Sequence, residues 1–69
     1  MNNKQKPNFI NPEEAFQKAI EKGILSSNEN DKDYAGNFMY MYSENGKDYF
    51  KNIITKKYGF DRNTILESI

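Results

Sequence analysis

The dipeptide Asn45-Gly46 sits between two runs rich in aromatic residues, GNFMYMYSE before it and KDYFKNII after it. Asn followed by Gly is the pair that best tolerates the two positive φ angles of a two-residue type I′ turn, and the β-prone runs on either side supply the strands of a hairpin. In a chain of 69 residues this hairpin is the feature around which the remaining segments must be arranged.

A two-residue turn fixes the register of a regular hairpin. Tyr42 then faces Tyr49, Met41 faces Phe50, Tyr40 faces Lys51, Met39 faces Asn52 and Phe38 faces Ile53. Strict alternation puts Phe38, Tyr40, Tyr42, Tyr49, Lys51 and Ile53 on one face, and Met39, Met41, Phe50, Asn52 and Ile54 on the other. Both faces are apolar or aromatic, whereas a hairpin with one wet side ordinarily alternates apolar and polar residues. One face therefore has a surplus of rings and methionines beyond what a single covering helix buries. Tyr49, Phe50, Ile53, Ile54 and Tyr58 also fit one side of a helix. The Asn-Gly turn and the β-prone content favour a strand over residues 47–54.

The covering helix is read from Asn11-Pro12-Glu13-Glu14. Asn11 is a capping residue, Pro12 suits the first helical position, and Glu14 has capping-box spacing. Ala15, Phe16, Ala19 and Ile20 form an apolar stripe, and Gly23 is a left-handed stop. The spacing predicts a helix over residues 12–22, with Ile10 stapled onto Ala15 and Ile24 folding back onto the stripe. Residues 1–8 offer nothing to bury and are expected to form a flexible arm, leaving residues 9–69 as one small domain. Ser26 to Asp33 is a polar loop, Tyr58-Gly59-Phe60 a turn, and Asp61 the cap of a short last element that lines up Ile65, Leu66 and Ile69. The expected fold is α+β: an N-terminal amphipathic helix on a two-stranded antiparallel hairpin, closed by a short C-terminal turn or helix.

Composition narrows the functions. Aromatic residues make up 14% of the chain, more than disordered segments carry. Ten Lys/Arg balance ten Asp/Glu, so no global field draws the chain to nucleic acid or acidic lipid. There is no Cys and no His, which removes disulfides, thiolate metal sites and the usual base of nucleophilic catalysis. Asn28-Glu29-Asn30-Asp31-Lys32-Asp33 suggests a calcium loop, but counting from Asp31 puts Ala35 at a ligand position and Tyr42 where a bidentate Glu belongs. The chain is accordingly read as non-catalytic, with no metal and no cofactor. The absence of cysteine, of an apolar leader and of any run long enough to span a bilayer points to a cytoplasmic protein that does not enter membranes.

The ring surplus is the candidate site. Tyr and Met are favoured at interface cores, so we expect a larger protein partner to be bound by Tyr40, Tyr42 and Tyr49, with Lys51 as polar neighbour and Phe38 on the same face. Met39, Met41 and Phe50 are the anchors if the opposite face is the exposed one. A rival reading uses the hairpin rings with Lys56, Lys57 and Arg62 to bind single-stranded nucleic acid. A structural subunit or homodimer is a third way to cover the surplus face.

Overall fold

A computed structural model describes residues 8–69. Its element order is α1 (Pro12–Glu21), a single 3₁₀ turn (Ala35–Asn37), β1 (Phe38–Glu44), β2 (Lys47–Asn52), β3 (Tyr58–Gly59) and α2 (Arg62–Glu67). The fold is α+β, but the sheet has three antiparallel strands in the order β1-β2-β3 rather than two. The third strand is only two residues long, and the expected turn at Tyr58-Gly59 is that strand.

α1 starts and stops for local reasons. The Asn11 side chain accepts from the Glu13 N–H at 2.9 Å, Pro12 occupies the first turn, and two glutamates face the positive end of the helix. At the other end Gly23 takes φ +75°, and its N–H donates to Ile20 O while Ile24 N–H donates to Ala19 O. That paired arrangement is a Schellman stop, and it turns Ile24 back against the core as expected.

Asn45 and Gly46 have φ of +54° and +76°, as a type I′ turn requires. From that turn Tyr42 pairs with Tyr49, as the sequence predicts. Beyond it the register departs: Tyr40 pairs with Phe50, Met39 with Lys51 and Phe38 with Asn52. Met41 is an extra residue in β1, a β-bulge that moves everything before it to the opposite face. Phe38 and Tyr40 thereby join Phe50 and Asn52 on the inner face, while Tyr42 stays with Tyr49 on the outer one. β2 ends at Asn52, so Ile53 and Ile54 lie in a turn rather than in the strand, and both are exposed.

The core consists of Ala15, Ala19, Leu25, Phe38, Phe50 and Ile65. Phe50 is its centre, 5.1 Å from the Phe16 ring and 5.9 Å from the Tyr40 ring. α2 is capped by a full capping box between Asp61 and Thr64, which holds the Asp61 carboxyl below the usual carboxylate range. Only Ile65 of this helix is buried. Leu66 and Ile69, expected to line up with it, are exposed. Gly59 is the residue that lets α2 approach the sheet: a Cβ there would lie 2.9 Å from Ile65 Cα and N.

Polar pins complete the fold. Asn52 is 3% exposed; its Oδ1 accepts from the N–H groups of Ile54 and Thr55, and its Nδ2 donates to Ser68 O at 3.2 Å. One side chain thus shapes the β2–β3 turn and ties it to the end of α2. Thr55 Oγ1 reaches the same carbonyl at 2.5 Å. Asp33, 8% exposed, is paired with Arg62, whose guanidinium also donates to Ile24 O. Asn8, the last residue of the expected arm, exchanges two backbone hydrogen bonds with Ser43 on the edge of β1. The rest of that arm, residues 1–7, lies outside the described residues.

Replacing Asn52 with Ala leaves the N–H groups of Ile54 and Thr55 without their acceptor and takes from Ser68 O one of its two donors. The expected loss is about 2–3 kcal/mol, read as a lower urea midpoint at unchanged slope. A midpoint within experimental scatter of the wild type would remove Asn52 from its place as the main pin.

Candidate functional site

The outer face of the sheet carries the candidate site, because both helices pack on the inner face. The ladder sets out its rows. Tyr42 of β1 stands beside Tyr49 of β2, with ring centroids 4.8 Å apart and planes within 11° of parallel. Phe60, just after β3, continues the row at 5.1 Å from Tyr49, tilted by 50°. The neighbouring row follows from the pairs Met39–Lys51 and Lys51–Tyr58. Lysines lie over two of the rings: Lys47 Nζ is 4.7 Å from the Phe60 centroid and Lys51 Nζ 5.9 Å from that of Tyr58. Met39 is 51% and Tyr58 45% exposed, so neither is screened by another part of the described chain.

The expected site residues divide at the bulge. Tyr42, Tyr49 and Lys51 lie together on the outer face. Phe38 is buried in the core, and Tyr40 is half-buried with its hydroxyl 3.0 Å from the Ile10 N–H it accepts from and 2.6 Å from Ser43 Oγ. These two are core residues because strict alternation fails at Met41. Of the alternative anchors, Phe50 is the core centre and Met39 is on the outer face. Among the residues of the nucleic-acid reading, Lys56 and Lys57 are exposed in the β2–β3 turn, while Arg62 is engaged by Asp33 and Ile24 O.

Tyr58 and Phe60 are the members that the sequence reading missed. Their signal was present: two aromatics separated by Gly59 show the period of a strand, with the glycine on the face where another element comes close. Lys47 and Lys51 lie on β2, Lys47 paired with Glu44 of β1; Asp48 is the other acid of these strands, and Lys56 and Lys57 are exposed in the β2–β3 turn. The only ion pairs among the described residues, Lys18–Asp48 and Arg62–Asp33, involve none of these four lysines.

The ring stack has an electrostatic consequence. Partial desolvation in the stack, then the charge of Glu44 and the neighbouring Tyr49 and Tyr58 hydroxyls, raise the pKa of Tyr42 above the ordinary 10.0. On the opposite side of the molecule a shallow depression of about 230 Å³ is lined by Phe16, Ala35, Gly36 and Phe38 and presents no charged group. Among the described residues no three Asp or Glu carboxylates gather as a metal site would require. Within the polar loop, Asp31 accepts from Ser26 Oγ at 2.6 Å and Asp33 is held by Arg62. No helix of the described residues is long and apolar enough to cross a membrane. Comparison with family models, with curated proteins and with solved structures returned no match to this chain.

A raised native pKa means that the folded state holds the Tyr42 proton more tightly than the unfolded chain does. Its contribution to stability is therefore present below pH 10.0 and is lost as pH rises through the native value. Subtracting the alkaline absorbance titration of Tyr42→Phe from that of the wild type should give a midpoint above 10.0, lowered by Glu44→Gln. A difference curve centred at or below 10.0 would show Tyr42 to be an ordinary surface phenol.

Proposed function

We propose that this chain is a non-catalytic accessory protein of the cytoplasm that binds a larger protein partner through the outer face of its sheet. Tyr42 and Tyr49 are the central anchors, Met39, Tyr58 and Phe60 extend the contact, and Lys51 is the polar neighbour. The observation that carries the reading is the row of rings Tyr42, Tyr49 and Phe60 across the outer face of the sheet, of which Phe60 also borders a pocket beside α1. Tyrosine supplies large contact area with a polar tip, and methionine adapts to irregular surfaces. The flanking lysines suit a partner whose rim is acidic.

The ring geometry favours protein over single-stranded nucleic acid. Base stacking needs free π faces. Here Tyr42 and Tyr49 turn their faces to each other, Phe60 lies against Tyr49, and lysine ammonium groups stand over Phe60 and Tyr58. At least one face of each of these rings is already taken, and the tyrosine hydroxyls are groups that hydrogen-bond against a protein surface.

The test is capture of partners from nuclease-treated native lysate by the wild type and by three variants: Tyr49→Ser, Met39→Arg and Lys51→Glu. Met39→Arg and Lys51→Glu alter exposed or half-exposed side chains, so a folded far-UV spectrum is expected for both. One protein should survive nuclease treatment. Its affinity should fall roughly thirtyfold with Tyr49→Ser, the effect of removing an interface anchor. Equal capture by wild type and all three folded variants would discard this face. Loss of all captured material on nuclease treatment, with affinity falling steeply as salt rises, would transfer the site to nucleic acid.

A further inference from the structure

A second concavity lies at the hairpin tip, on the side that faces α1. Its volume is about 80 Å³, and its walls include Lys18, Lys22, Lys47, Asp48, Phe50 and Phe60. Lys18 in the last turn of α1 and Lys22, its C-cap, stand one turn apart, and Lys47 enters from the first residue of β2. Like charges at i and i+4 repel one another, and a third lysine from another element adds to that repulsion. The helix dipole accounts for cations near the end of α1 but not for Lys47. Two carboxylates act on them: Asp48 Oδ2 lies 3.7 Å from Lys18 Nζ, and Asp61 is near enough to Lys47 to feel its charge. Of the two only Asp48 lines the pocket, whose walls therefore carry three ammonium groups and one carboxylate.

The backbone adds a donor. Asn52 N–H donates to Lys57 O, on the β3 side of β2. Alternation along the strand puts the N–H of Asp48 on that same edge, past the point where β3 ends. Phe60 and Ile24 give the pocket an apolar wall beside these donors.

We infer that this pocket binds the terminal phosphate of a phosphomonoester. The volume admits one phosphate group and sends the rest of the ligand outward. Three ammonium groups from two elements surround a tetrahedral dianion better than they would a planar carboxylate, which calls for a bidentate guanidinium. The apolar wall accommodates the carbon next to the ester oxygen. A nucleic-acid strand needs a track of cations along successive phosphates, and this pocket holds one. The site stands independently of the sheet face, although Lys47 and Phe60 border both.

The experiment is a ¹⁵N–¹H correlation titration of the full chain at constant ionic strength, with inorganic phosphate, O-phosphoserine and a phosphoserine-containing peptide, and chloride as control. Saturable shifts are expected at Lys22, Gly46, Lys47 and Asp48. Lys22→Gln and Lys47→Gln should each weaken phosphate about fivefold. Asp48→Asn, which retains an acceptor for the Ser43 hydroxyl, should tighten it by a similar factor. That gain is a result no merely structural role of Asp48 provides. Tighter binding of O-phosphoserine than of the peptide would make the ligand a small metabolite, and the reverse would make it a modified polypeptide; either supports the site. Shifts that grow linearly with anion and spread over every lysine would overturn it. So would affinities unchanged in all three variants.

Discussion

One extra residue in β1 decides which rings form the core and which form the surface. Without the bulge at Met41, Phe38 and Tyr40 would stand beside Tyr42 and Tyr49, and the inner face would offer α1 two methionines, Phe50 and Asn52. The fully buried residues of α1 are Ala15 and Ala19, which are small; Phe16 and Ile20 pack partly against the core, and the rest of the volume beneath the helix comes from strand side chains. The bulge supplies it by turning Phe38 and Tyr40 inward around Phe50. The polar end of Tyr40 is satisfied in place by Ile10 N–H and Ser43 Oγ, and Ser43 in turn donates to Asp48 at 2.6 Å. A tyrosine in a core requires such a partner. The same network then fixes Asp48, whose other oxygen faces Lys18.

A core of six buried apolar residues is thin, and four polar residues, Asp33, Ser43, Asn52 and Ser68, are buried with it. No buried side-chain polar atom among the described residues lacks a partner. This matters because an unsatisfied buried group costs about 1–3 kcal/mol, a large share of what a domain of this size has in reserve. Asn52 and Asp33 also join elements distant in sequence: β2 to the end of α2, and the polar loop to the start of α2. Hydrophobic area alone would let the short α2 slide over the sheet. Directional bonds at both of its ends hold it where Ile65 meets Gly59.

Local signals were legible in the sequence, and parity was not. Asn11-Pro12, Gly23 and Asn45-Gly46 each act within a few residues of themselves, so the helix limits and the turn could be read directly. The bulge is set by what α1 needs to bury, a demand from outside the hairpin, and no residue in MYMY announces it. A strand as short as β3 shows only one period, which is why Tyr58-Gly59-Phe60 reads equally well as a turn. The Arg62–Asp33 pair joins residues far apart in the chain and carries no pattern at all. Of the candidate site, Tyr42 was found because it lies on the turn side of the bulge, and Tyr49 and Lys51 because the extra residue is in β1 and β2 keeps its alternation from the turn onward. Phe38 and Tyr40 were misplaced because they lie beyond it.

The outer face is ordered before anything binds to it. β2 is the central strand, hydrogen-bonded on both sides over part of its length, and it carries Tyr49 and Lys51. Tyr49 is held between Tyr42 and Phe60, and the two lysines rest over rings instead of extending into solvent. Ordering a long side chain during association costs about 0.5–1.5 kcal/mol each, and here much of that ordering is already present in the free chain. A domain with a thin core can therefore still offer a rigid contact surface, provided that surface is built on its best-supported strand. The bulge brings this about: it removes from the face the two rings that the core requires and leaves those that support one another.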